Sequence, residues 1–90
     1  MAYVKTTTLV AATVYTYEPG VNVSFCEVTN MDGASEVYFT TTGVAPTVGG
    51  DNCIAMPAAI GSVEVKEEIA GNASIKLISA GTPKVSVRVW

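Results

Sequence analysis

Lys84-Val85-Ser86-Val87-Arg88-Val89-Trp90 is the stretch on which the fold turns. Val85, Val87 and Val89 fall on one side of an extended chain, and Lys84, Ser86 and Arg88 on the other. A period of two marks a strand with one face in a core. Gly81-Thr82-Pro83 sets a turn ahead of it. Working back, Ser74 to Ser79 sets Ile75 and Leu77 against Lys76 and Ile78, after a turn at Gly71-Asn72. Ser62 to Glu67 alternates again, with Val63 and Val65 inward and Glu64 and Lys66 outward. Cys53 to Met56 is a short strand stopped by Pro57, and Ala58-Ala59-Ile60-Gly61 turns the chain. Thr42 to Asn52 reads as a loop punctuated by Gly43, Pro46, Gly49 and Gly50. Glu36 to Thr41 and Val21 to Asn30 are strands on either side of Asn30-Met31-Asp32-Gly33, whose Asp-Gly pair supports a tight turn. Thr7 to Tyr17 is a run of β-branched and aromatic residues ended by Glu18-Pro19-Gly20. Helix is confined to one turn near Pro57 to Ile60. About seven short strands with regular turn signals predict an all-β domain, a small β-sandwich or a small β-barrel.

Ninety residues make a single domain, 1–90. Residues 1–6 precede the strand pattern and read as an N-terminal arm that needs a partner to become ordered. Hydrophobic residues reach 49% while charged residues stop at 14%, against about 25% charged in an ordinary soluble domain. So few charges leave much of the surface to be covered by other protein. Net charge is -3, and Lys5, Lys66, Lys76, Lys84 and Arg88 are scattered. A nucleic-acid binder needs its cations clustered on one face, and an anionic membrane makes the same demand. No nucleic-acid or membrane partner is therefore expected. No apolar run reaches the roughly 20 residues that span a bilayer. The opening Met1-Ala2-Tyr3-Val4-Lys5-Thr6 lacks the pattern of a signal peptide, so a product made in the cytoplasm is expected.

Catalysis needs positioned acids, bases or nucleophiles. The chain has no histidine and only two cysteines, Cys26 and Cys53. Neither thiol has the imidazole that would activate it, and two thiols do not make the four-ligand set of structural zinc. Both are expected mainly as buried thiols; a disulfide between them is the alternative, worth on the order of 3 kcal/mol. The carboxylate pairs Asp32 with Glu36 and Glu67 with Glu68 read as solvated surface charge. Gly49-Gly50-Asp51 lacks the lysine and hydroxyl of a phosphate loop. Asn22-Val23-Ser24 and Asn72-Ala73-Ser74 match a glycosylation pattern that carries little weight without a secretion signal. No enzyme, metal or cofactor is expected. Tyr3, Lys5, Tyr15, Tyr17, Tyr38 and Trp90 are the candidate interface residues, because so many large aromatic rings do not all fit a core this small.

Two resemblances add to this reading. Glu36-Val37-Tyr38-Phe39-Thr40-Thr41-Thr42-Gly43-Val44-Ala45-Pro46-Thr47 resembles a strand-and-turn element of small immunoglobulin-like domains, including the accessory domain at the end of some chitobiase-type enzymes. Thr42 stands where that element usually has aspartate. This likeness implies an immunoglobulin-like β-sandwich and an alternative role as a carbohydrate-binding module. The second rests on Glu27 to Asn30, Asp32-Gly33, Glu36 to Thr47, Gly61 to Val65, Lys76 to Pro83 and Ser86 to Arg88. Together they are similar to small virion structural proteins of tailed bacteriophages of actinobacteria. That likeness implies a capsid decoration (cement) protein on the capsid exterior. Its partners would be the major capsid protein and copies of itself, in trimers. A minor tail or head-to-tail connector component is the alternative within the same class.

Overall fold

The computed structural model describes residues 3–20, 23–65 and 74–90. Among them are eight strands: β1 Tyr3–Thr8, β2 Tyr15–Tyr17, β3 Cys26–Asn30, β4 Val37–Thr40, β5 Ile54–Met56, β6 Gly61–Val65, β7 Ile75–Ile78 and β8 Lys84–Val89. They form two four-stranded antiparallel sheets, ordered β1-β8-β3-β6 and β2-β7-β4-β5. The small barrel is thereby set aside in favour of the β-sandwich.

Register explains which residues are inside. Val85, Val87 and Val89 of β8 stand beside Asn30, Val28 and Cys26 of β3, and all six are fully buried. In the second sheet Leu77 of β7 stands beside Phe39 of β4, and Phe39 beside Ile54 of β5. Leu9, Val23, Val37, Met56 and Ile75 complete the core. Each valine of β8 contributes on the order of 1.5 kcal/mol or more by leaving water. The alternation in Lys84 to Val89 is therefore the trace of a central strand with one buried face.

Among the described strands, β4 and β5 are the one sequence-adjacent pair that share a ladder. β1 and β2, β3 and β4, β5 and β6, and β7 and β8 each lie in opposite sheets. An immunoglobulin sandwich instead places its first two strands in one sheet. Eight strands in this order make a jelly roll.

Several boundaries differ from the sequence pattern. Residues 3–6 are not an arm: they begin β1, which pairs with β8 from Tyr3 opposite Val89 to Thr8 opposite Lys84. A β-strand edge within the same chain supplies the partner that the arm was expected to need. The run from Thr7 to Tyr17 is two strands, because the chain crosses between sheets at Leu9–Val14, where Ala12 adopts φ 55°. The strand expected over Val21 to Asn30 starts at Cys26. Pro57 to Ile60 is a tight turn, with the Ala59 amide donating to the Pro57 carbonyl at 2.8 Å. The turn at Gly71-Asn72 and the pair Glu67 with Glu68 lie outside the described residues.

Candidate docking surface

The antiparallel order gathers four connections at one end of the sandwich: β1–β2, β3–β4, β5–β6 and β7–β8. Buried polar side chains tie them together. Asn30 ends β3 with its side chain fully buried. Its Nδ2 donates to the carbonyls of Ser35 at 2.9 Å and Pro57 at 3.3 Å, and its Oδ1 accepts from the Gly33 amide at 3.1 Å. One amide group thus joins the β3–β4 and β5–β6 turns. Fully buried Ser79 donates from Oγ to the Glu36 carbonyl at 2.6 Å and accepts from the Gly81 amide at 3.2 Å. Asp32 accepts from the amides of Ala34 and Lys84, each at 3.0 Å. These two bonds, that of Ala34 first, hold its exposed carboxyl below the usual carboxylate range. Backbone bonds complete the lacing, from Leu9 to Pro83 at 2.9 Å, Ala12 to Ser79 at 2.8 Å and Met31 to Lys84 at 2.9 Å.

Gly33 lets the two turns touch. Its φ is +67°, and a Cβ there would sit 2.9 Å from the Ile60 nitrogen and 3.0 Å from the Ala59 carbonyl carbon. Backbone cannot yield as a flexible side chain would, so only glycine fits.

Apolar side chains project outward from this rigid base. Ile60 is 75% exposed, Val10 64% and Met31 41%. Ala11, Ala34, Ala58, Ala59 and Ala80 are exposed beside them in the same four loops. An apolar patch on a preordered frame can bind without the entropy cost of ordering loops.

The residues singled out from sequence lie elsewhere. Tyr3 and Lys5 share the β1 face that continues the buried valines of β8; Tyr3 is 38% exposed and Lys5 is exposed. Tyr15 and Tyr17 on β2 are half-buried and pack against the core. Burial raises the Tyr15 phenol above its ordinary value, and Tyr17 adds to the effect. Tyr38 is half-buried on the outer face of the second sheet, its hydroxyl donating to Glu36 Oε2 at 2.7 Å. Trp90 packs against Phe25 with ring centroids 5.7 Å apart. The Arg88 guanidinium lies 4.7 Å from the Trp90 ring centre. Trp90 also exchanges backbone hydrogen bonds with Phe25, which ties the last strand down.

Tyr3 and Lys5 thus lie on β1 and Tyr15 and Tyr17 on β2, edge strands of different sheets, while Tyr38 and Trp90 stand apart. Val10, Met31 and Ile60 were missed by the sequence reading. The available signal was apolar residues at turn positions: Met31 inside Asn-Met-Asp-Gly, and Ala-Ala-Ile between Pro57 and Gly61.

Cys26 and Cys53 are free thiols. Burial first, and the Glu27 charge second, push the Cys26 thiol up to about 12. Cys53 is half-buried and donates to the Gly50 carbonyl at 3.3 Å. It borders an open cleft of about 250 Å³ whose wall includes Thr41, Thr42, Asn52 and Ile54. Among the described residues no group of three or more His, Cys, Asp or Glu side chains could hold a metal ion.

No family model matches the chain, and no curated protein matches it. Solved structures do include similar chains. One, from Bacillus endospore appendages described as a novel family of disulfide-linked pili, has a TM-score of 0.47 and 15% identity, over 99% of this chain and 84% of that one.

Proposed function

We propose that this chain is a bacteriophage virion structural protein, a capsid decoration (cement) protein on the head exterior that acts through protein–protein contacts and performs no reaction. The observation that carries the proposal is the four-loop end, where Val10, Met31 and Ile60 stand exposed on turns that Asn30, Ser79 and Asp32 hold in place. Such a surface is suited to docking against another protein. The resemblance to small virion proteins, over about Glu27 to Trp90, supplies the setting. Many copies on a symmetric shell would each add modest stability to the assembled state by mass action. Jelly rolls serve capsid and lectin domains alike, so the fold does not choose between these roles.

Copy number tests the proposal. Purified particles are resolved by gel electrophoresis, and the chain is quantified against the major capsid protein. Decoration predicts copies in the hundreds, in a simple ratio to the shell subunit. A dozen or fewer copies per particle would exclude it in favour of a neck or tail position.

A further inference from the structure

The sheet β1-β8-β3-β6 has two open edges, and its charge is divided between them. Lys5 on β1, with Lys84 and Arg88 on β8, are the ionisable side chains of one half. Glu27 on β3 and Glu64 on β6 are those of the other. The register sets Val4, Arg88, Glu27 and Glu64 in one row across the outer face. Arg88 and Glu27 are a favourable cross-strand pair, whereas Glu27 and Glu64 are like charges directly opposite, which is destabilising. A cation arriving beyond the β6 edge would offset that repulsion.

Both edges are long enough to take a strand. β1 has six residues and β6 five, with no proline in either; β2 and β5, the edges of the other sheet, have three each. A charge on an edge strand deters indiscriminate pairing. Lys5 and Glu64 are such guards, of opposite sign. Two β1 edges would bring lysine toward lysine, and two β6 edges glutamate toward glutamate. The pairing of β1 with β6 escapes both repulsions, and one chain carries both edges.

Strand direction permits the same pairing. Four strands of alternating direction leave β6 antiparallel to β1. A second copy set beside β6 in the same orientation therefore continues the sheet without reversal. The register that extends every row puts Tyr3 of the next copy beside Val65, and its Thr7 beside Gly61. Tyr3 would then cover half-buried Val65, an aromatic and β-branched pair. Thr6 would extend a hydroxyl row in which Thr29 already donates to Ser62 at 3.3 Å. Arg88 of the next copy would lie two strand spacings from Glu64, about 10 Å, across the small side chain of Val4. Two long charged side chains can close much of that gap.

We propose that β6 of one copy pairs antiparallel with β1 of the next, so that copies of this chain join edge to edge and head to tail. Such an interface is heterologous: it closes into a ring where the rotation between copies allows, and otherwise runs on as an open array. The inference goes beyond the decoration reading and needs nothing from it.

Sedimentation velocity on the purified chain, at rising concentration in low salt, tests it. Species larger than a dimer are expected to grow with concentration and to shrink when salt is raised, because exposed charges are screened. Hydrogen exchange should slow on association in β1 and β6, but not in β2 and β5. Val4→Lys should tighten association and Val4→Glu weaken it, each about threefold or more, the scale of one cross-strand pair. Glu64→Lys alone should also weaken it. Mixing Val4→Glu with Glu64→Lys should restore association, because the unaltered β6 of the first meets the unaltered β1 of the second. Thermal melts separate lost pairing from lost folding, and both positions are exposed. A chain that stays monomeric at every soluble concentration, association that ends at dimers, indifference to the sign of charge at position 4, or Glu64→Lys associating like wild type would each overturn the proposal. None of these results alters the copy number on purified heads, so the decoration reading is judged separately.

Discussion

Asn30 shows how one side chain governs a surface it never reaches. Its carboxamide satisfies two carbonyls and one amide from two turns while fully buried. Asn30→Ala leaves these groups without their partner at a buried position. Each buried unsatisfied group costs about 1–3 kcal/mol, so the variant should lose roughly 3 kcal/mol in urea unfolding. A loss below about 1 kcal/mol would show that the turns hold without it. Asp32 makes a pH-dependent contribution. Its carboxyl is held below the ordinary range by amide hydrogen bonds. Folding therefore gains from it above the unfolded-state value and loses that gain as pH falls through the depressed folded value. Asp32→Asn should lower stability near neutrality and flatten the acid limb of the stability profile; an unchanged acid limb would contradict this. Cys26 titrates in the opposite sense, since burial raises its thiol from 9.0 to about 12. Its share of stability is complete below the unfolded value and fades as pH climbs toward the folded one. A thiol reagent at neutral pH should reach Cys53 first and Cys26 only on unfolding, and equal rates for the two would refute the assignment.

At the scale of the element, β1 and β8 form one ladder yet differ in what they bury. β8 alternates buried Val85, Val87 and Val89 with outward residues, whereas every β1 side chain except half-buried Thr7 is exposed. Val87→Ala should cost about 2–3 kcal/mol, through lost burial and the cavity left behind. Val4→Ala, on the outer face of an edge strand, should stay within about 0.5 kcal/mol. Chemical denaturation of both variants would test the contrast, and similar losses would place β1 in the core. The same difference explains what the sequence made legible. β3, β4, β7 and β8 each bury one face and β6 half-buries Val63 and Val65, and their alternation marks them in one dimension. β1 buries almost nothing, so Tyr3 to Thr6 carried no periodic signal and read as an arm. The crossing at Leu9–Val14 was hidden because it contains neither glycine nor proline. Leu9 is buried there by tertiary contact, and its amide bonds to Pro83, far along the chain.

For the whole molecule, the β-sandwich was legible and the jelly-roll order was not. Which strand sits beside which depends on distant pairings, such as β1 with β8, and no local pattern encodes these. The candidate surface was obscured for the same reason. Val10, Met31 and Ile60 lie in three separate turns, and only the antiparallel order of both sheets brings them to one end. The aromatics, by contrast, are conspicuous in the sequence because of their size. The structure turns Tyr15 and Tyr17 toward the core and binds Tyr38 to a neighbouring carboxylate. The order of the first sheet has a further consequence for synthesis. β8 is translated after the other seven strands, yet it is inserted between β1 and β3. While the chain is still on the ribosome, β1 has no neighbour to pair with and β3 lacks one of its two. A nascent chain halted before Lys84 would thus hold open strand edges and an unfilled centre, a state prone to capture by other nascent chains. The domain can close only after β8 has cleared the exit tunnel, so its first sheet is completed in one late step rather than strand by strand.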